Sequence, residues 1–217
     1  MQLGARKITN AGSKKVIGKF ASLKMKRAIW WESQIERDYI YLLEFDPDVL
    51  FYKEQPFRIR YTYADSQHHY TPDFLVLRKD GRKQLVEVKP EEKMAKDENV
   101  LLFHIIFPIC QQQGYEFVIV TDKMIRTAPR LENIKFLYRY ARTLIHPQHR
   151  IQCHEFFNGR TSATLGEIIG FFESEEVSRR VVYALVYEGF LSIDFLTPLD
   201  LSSDVALSKV LTNGNKE

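Results

Sequence analysis

Hydrophobic positions change period several times along this chain, and each change marks an element. Ile35, Tyr39, Ile40, Leu42 and Leu43 recur at helical spacing behind Ser33, an N-cap residue with Glu36 three positions on. Asp46-Pro47-Asp48 ends that helix. Glu36, Ile40 and Leu43 lie at i, i+4 and i+7, which puts Glu36 at the edge of the core-facing side. Residues 49–55 and 57–63 then read as aromatic-rich strands on either side of Pro56, with a turn at Asp65-Ser66-Gln67. Residues 69–79 and 84–89 read as one hairpin. Residues 91–113 read as a helix, charged first and apolar later, with a kink at Pro108 and a stop at Gly114. The nearly all-apolar stretch 115–120 is expected to be a strand buried on both faces. A strand–helix–strand unit of that length requires a parallel crossover, so the sheet is mixed. Residues 129–144 predict a further helix.

Composition shifts near residue 150, which predicts three parts: an arm over 1–20, a domain over 21–148 and a small domain over 149–217. In the last part, helices start at Thr164 and at Ser174, the second running through Arg179, Val182 and Leu185 to Tyr187. Gly189 caps it, and 190–194 is a short strand. That order resembles a winged-helix module.

Charge sharpens this division. The net charge is only +3, yet residues 1–31 hold eight Lys/Arg and no acid. Residues 151–217 hold ten acidic residues against five basic ones, a net of −5. The basic stretch suits a polyanion, with Lys14, Lys15, Lys19, Lys24, Lys26 and Arg27 as candidate DNA contacts. The acidic end favours protein docking over DNA contact through Arg179-Arg180. No apolar run reaches the roughly 18 residues of a membrane span, the N-terminus has no apolar signal core, and two cysteines make no disulfide framework. A cytoplasmic location is expected. His146, His149, Cys153 and His154 match no familiar zinc spacing.

The candidate chemistry lies in the hairpin. Asp73, then Glu87 and Lys89, place two carboxylates and a lysine on neighbouring strands. Such carboxylates can hold a divalent metal through hard oxygen ligands, and the lysine can orient water or steady charge on a phosphate. The alternative is an ordinary polar hairpin end with Lys89 in a salt bridge. Loop register bears on the choice. A two-residue loop at Asp80-Gly81 pairs Asp73 with Val88 and turns it away from Glu87. A three-residue loop, Lys79-Asp80-Gly81 with a left-handed Gly81, sets Asp73 opposite Glu87.

Ser33-Gln34-Ile35-Glu36, Leu43-Glu44-Phe45-Asp46-Pro47-Asp48-Val49, Gln55-Pro56, Thr71-Pro72-Asp73-Phe74, Val86-Glu87-Val88-Lys89-Pro90 and Val120-Thr121-Asp122-Lys123 occur in that order. The series resembles the TnsA endonuclease subunit of heteromeric bacterial transposases, a PD-(D/E)xK nuclease, over about residues 20–140. The resemblance implies an α/β, restriction-endonuclease-like fold, a mixed central sheet flanked by helices, followed by a winged-helix-like C-terminal domain. It implies catalytic roles for Glu36, Asp73, Glu87 and Lys89. It also implies Mg²⁺, with Mn²⁺ able to substitute, held by Asp73, Glu87 and the Val88 carbonyl, with Glu36 reaching a second ion or a bound water. The implied reaction is hydrolysis at the 5′ ends of a transposon in double-stranded DNA. The implied partners are a TnsB-type DDE transposase, which cuts the 3′ ends, and a TnsC-type AAA+ regulator meeting the C-terminal domain. The alternatives are a stand-alone restriction or repair nuclease of the same fold and a non-catalytic DNA-binding scaffold.

Overall fold

The computed structural model describes residues 16–209. The chain divides into two compact units after Arg126. That division precedes the compositional shift near 149, because Leu137 is part of the core of the second unit.

The first unit opens with a hairpin of β1 (Gly18–Ser22) and β2 (Arg27–Trp31). Regular pairing therefore starts inside the stretch expected to be an arm. Helix α1 (Gln34–Phe45) follows, with the Ser33 hydroxyl accepting the Glu36 N–H at its start, and Asp46 closes it. Next come β3 (Val49–Glu54), β4 (Ile59–Tyr63), β5 (Ser66–Tyr70), β6 (Phe74–Arg78) and β7 (Lys83–Lys89). A short 3₁₀ turn at Glu91–Lys93 leads to α2 (Asp97–Gln112), β8 (Glu116–Thr121) and the single turn α3 (Asp122–Ile125).

Four of these strands make the central mixed sheet, in the order β3-β6-β7-β8, with β7 and β8 parallel and the other pairs antiparallel. Phe74 pairs with Val86 and Leu75 with Leu85, so alternate residues serve opposite faces. On one face Tyr39 of α1 packs edge-on against Phe74 at 5.6 Å between ring centroids. On the other, Ile106 and Cys110 of α2 cover Leu85 and Phe117. Tyr52, Phe74, Leu85 and Ile106 are essentially inaccessible. Each such side chain contributes about 2 kcal/mol by leaving water.

Several expectations are corrected here. The strand read over 69–79 is two strands, broken at Thr71-Pro72-Asp73. Pro72 has no N–H for a ladder, and the Asp73 carbonyl accepts the Gln55 N–H at 2.8 Å instead. The residues before the break pair with β4 in a separate two-stranded ribbon, whose turn is Ala64-Asp65 rather than 65–67. The helix read from 91 begins at Asp97. The expected fully buried strand β8 is only half-buried along its middle. Gly114, at φ +77°, ends α2 as expected.

The second unit contains α4 (Arg130–Tyr138), α5 (Pro147–Phe156), β9 (Ala163–Thr164), α6 (Leu165–Ser174), α7 (Arg179–Tyr187), β10 (Leu191–Ile193) and β11 (Asp204–Leu207). The strands form an antiparallel sheet in the order β10-β11-β9. Phe156, Phe172, Val182, Leu185 and Leu191 are among the residues that fill its core. Helix α4 stops at Tyr138, short of 144, and Ser174 ends α6 rather than starting α7, whose cap is Ser178. Helix α5 was not anticipated. The His149 ring Nδ1 accepts the His146 N–H at its start, and the buried Cys153 thiol is pushed up to about 12 by desolvation, a poor metal ligand. Among the described residues, no helix is long and apolar enough to cross a membrane.

Candidate active site

Hairpin register places the two carboxylates. Arg78 N–H bonds the Arg82 carbonyl at 3.0 Å, closing a three-residue loop over Lys79–Gly81. Gly81 takes φ +85°, a conformation that costs a Cβ-bearing residue about 1 kcal/mol. Of the two loops open to the sequence, this is the one that turns Asp73 toward Glu87. The pairing Phe74↔Val86, continued one residue beyond the ladder, sets Asp73 opposite Glu87.

Each carboxylate is held by protein donors. Asp73 Oδ2 accepts the Val88 N–H at 2.8 Å. Glu87, only 4% exposed, accepts the Tyr70 hydroxyl at 2.6 Å on one oxygen and Lys89 Nζ at 2.8 Å on the other. Glu36 takes the Glu32 N–H on Oε2 and the Ser33 hydroxyl on Oε1, each at 2.8 Å. Its carboxylate thus closes the cap of α1 while standing close enough to act electrostatically on Asp73.

The electrostatics record a crowd of negative charge. Desolvation pushes the Asp73 carboxyl well above its usual range; the Glu87 and Glu36 charges push the same way, against the Val88 N–H and Lys89. Burial works to lower the Lys89 pKa, but the charge and hydrogen bond of Glu87, with Asp73 and Glu98, outweigh it, and the net shift is upward. Lys89 is therefore a cation at neutral pH, a donor and not a base. Burial and the Glu87 charge also raise the Tyr70 pKa, so its phenol remains a donor to Glu87.

A group whose folded pKa is raised, and whose charged form is the anion, loses stability as pH climbs from its unfolded pKa through its folded one. Asp73→Asn keeps an oxygen for the Val88 N–H and removes the charge. The variant is expected to melt higher than wild type at pH 7.5 without divalent ions, with the difference shrinking toward pH 4, by calorimetry at both pH values.

Two residues beside the site carried no sequence signal of their role. Gln55 has a left-handed backbone, φ +40°, and donates its N–H to the Asp73 carbonyl. Its side chain donates to Glu32 Oε1 at 3.0 Å, which links the start of α1 to the strand break. Tyr70 is the other. Neither tyrosine nor glutamine is diagnostic at such a spacing; Gln55-Pro56 marked a position without indicating its contacts.

The predicted DNA contacts divide. Lys19 is exposed, 4.4 Å above the Trp30 ring, and Lys26 is exposed in the β1–β2 turn. Lys24 and Arg27 are committed to the fold. Lys24 Nζ donates to the Leu43 and Asp46 carbonyls at 2.8 and 2.6 Å, and Arg27 makes a two-pronged pair with Glu54 at 2.7 and 2.6 Å. Lys14 and Lys15 lie outside the described residues.

The oxygen-bearing residues around Asp73 and Glu87 are of the kind that could hold a small hard cation. Gln55 Oε1 and Thr121 Oγ1 are buried without a hydrogen-bond partner. The first belongs to the residue bonded to Asp73, and the second to the residue paired with Lys89 across β7 and β8. Among the described residues, no three His, Cys, Asp or Glu side chains already form a metal-holding group. Magnesium requires no such cage, being held by one or two carboxylates with its own waters.

Residues 46–122 match the family model described as the TnsA-like endonuclease N-terminal domain. That stretch of the chain is similar to the N-terminal domain of TnsA-like endonucleases. It includes Asp73, Glu87 and Lys89, and begins after Glu36. No curated protein matches the chain.

Proposed function

We propose that this protein is the metal-dependent DNA endonuclease subunit of a cut-and-paste transposase, hydrolysing a phosphodiester at the 5′ ends of the element. The observation that carries the proposal is the three-residue loop register, which brings Asp73 and Glu87 together beside Lys89 within the TnsA-like segment. Asp73, Glu87 and the Val88 carbonyl would hold Mg²⁺ or Mn²⁺, with Glu36 toward a second ion or a bound water. The ion supplies Lewis acidity and offsets charge at the scissile phosphate.

The protein's own part is positioning. Asp73 is fixed by the Val88 amide and Glu87 by the Tyr70 phenol, so neither carboxylate swings freely. Lys89, cationic and half-buried, donates to the attacking water or to a phosphate oxygen. Glu36 is fixed by its own helix cap.

The second unit supports a docking role. Its order α5-β9-α6-α7-β10-β11, with strands in the order β10-β11-β9, supports reading it as winged-helix-like. A DNA-reading second helix needs a solvent face, but Val181 to Val186 of α7 are all buried, and Arg179 pairs with Glu173 at 2.7 Å. The segment between β10 and β11 instead presents exposed Leu196 and Leu201 beside exposed Asp194 and Asp200. An AAA+ regulator of the TnsC type is the proposed occupant. A TnsB-type transposase is the proposed partner at the DNA ends.

The test is excision reconstituted with the partner transposase, with breaks resolved by strand. Wild type cuts both strands at each end. Asp73→Ala is expected to leave 3′ breaks and remove 5′ breaks, so that products shift from excision to cointegrates. Undiminished 5′ breaks overturn the proposal, and efficient cutting by the purified protein alone assigns it to stand-alone nucleases.

A further inference from the structure

Apart from Tyr70, the β4–β5 ribbon has no part in the catalytic arrangement described above, yet both of its ends are fastened there. It leaves the sheet just after Gln55, which is bonded to Asp73, and returns at Tyr70, which is bonded to Glu87. Among the described residues it pairs with no other strand, so both edges are open there. Its register is Ile59↔Tyr70, Arg60↔His69, Tyr61↔His68, Thr62↔Gln67 and Tyr63↔Ser66. At roughly 3.4 Å per residue, five pairs extend about 17 Å.

Alternation gives the ribbon two unlike sides. Ile59 and Tyr70 are buried at its foot, and on the same side farther out Tyr61 stacks on His68 at 5.4 Å. Arg60, Thr62, Gln67 and His69 share the other side, with Arg58 two residues before Arg60 continuing it, and all five are exposed. Gln67 Nε2 donates to Thr62 Oγ1 at 2.8 Å, aligning two polar side chains across the strands. Among the described residues, no carboxylate pairs with Arg58 or Arg60. The foot of the ribbon is anchored by Ile59 and Tyr70 in the core, but its outer side, which holds arginine, threonine, glutamine and histidine to solvent, adds no buried surface to the fold. A duplex does offer such a face partners: phosphates for the arginines and base edges for the amide and hydroxyl. A two-stranded ribbon also matches the roughly 12 Å width of a major groove.

We propose that the β4–β5 ribbon enters the groove of duplex DNA beside the scissile phosphate, with Arg58 and Arg60 on the backbone and Thr62 and Gln67 toward base edges. The inference rests on the nuclease assignment above. It makes the ribbon the element that sets which phosphodiester reaches Asp73 and Glu87.

The test uses the full chain and fluorescein-labelled duplexes, one spanning a transposon end and its flank and one of scrambled sequence, in equilibrium binding over a range of salt. All substituted positions are exposed, and melting temperature verifies folding. Arg58→Ala with Arg60→Ala is expected to weaken binding to both duplexes about tenfold and to lower the slope of log affinity against log salt by about 2. Thr62→Ala with Gln67→Ala is expected to preserve the slope and reduce the preference for the end duplex about fivefold or more. Wild-type binding and preference in both folded variants overturn the ribbon assignment and leave the nuclease assignment standing. Loss of association with the partner transposase at unchanged DNA binding overturns it in favour of a protein contact. A wild-type protein that binds neither duplex and cuts no DNA with its partner overturns both assignments together.

Discussion

Lys89→Ala is expected to slow 5′-strand cleavage about 10³-fold, the upper end of what one lost transition-state donor costs, at nearly unchanged DNA affinity. The direction follows from the Glu87–Lys89 pair, in which the amine is charged and half-buried before substrate arrives. Lys89→Arg retains the charge but not the reach of a single ammonium, and is expected to recover only a small part of the rate. Single-turnover cleavage of an end-labelled duplex in the reconstituted reaction measures both. Glu36→Ala needs a control, because Glu36 also closes the cap of α1. Ser33→Ala removes the capping hydroxyl at a cost of about 1 kcal/mol while leaving the Glu36 carboxylate, so it is expected to melt lower and still cleave. A Glu36→Gln variant, which keeps an oxygen and an amide for the cap but no charge, would reduce Glu36 to a capping residue if it still cleaves like wild type.

Glu44→Ala is expected to be the most destabilising single change outside the apolar core, at about 3 kcal/mol, since it leaves several buried donors without an acceptor. Glu44 is 5% exposed and accepts the Ser22 hydroxyl at 2.5 Å, the Tyr52 hydroxyl at 2.6 Å, and the Leu23 and Lys24 N–H groups at 3.0 and 3.2 Å. One carboxylate therefore ties the β1–β2 turn and β3 to the end of α1. Urea unfolding of the variant measures the cost. Tyr52→Phe, which removes one donor and leaves the acceptor with the others, is expected to lose about 1 kcal/mol.

These residues show what the chain discloses as a sequence and what it withholds. The hairpin and its two possible registers were open to reading, because the Glu87/Lys89 spacing fixes a face and Gly81 suits a left-handed position; the choice of the three-residue loop comes from the structure. The α1 start was open for a similar reason: Ser33 and Glu36 act within one turn. Both are local effects. Charge was misleading where the partner is distant. Lys24 and Arg27 look like a DNA-binding stretch beside Lys26, but Glu54, 27 positions after Arg27, takes the guanidinium. The same holds for Glu44, an unremarkable acid on a helix until the β1–β2 turn folds over it. The break at Pro72 was missed because Tyr70 and Phe74 look like one apolar alternation. Only the bond from Gln55 N–H to the Asp73 carbonyl shows that the chain leaves one ribbon there and joins another sheet. Helix α5 was missed because its apolar positions are few and its first turn is closed by His146 and His149.

The metal centre is tested most directly by titrating the folded protein with Mn²⁺ and following the free-ion resonance. Wild type is expected to take up Mn²⁺, with Mg²⁺ displacing it, and Asp73→Asn and Glu87→Gln each to lose that uptake while melting as folded proteins. Uptake undiminished in both variants, or absent from wild type in the presence of duplex DNA, would contradict a metal centre at Asp73 and Glu87.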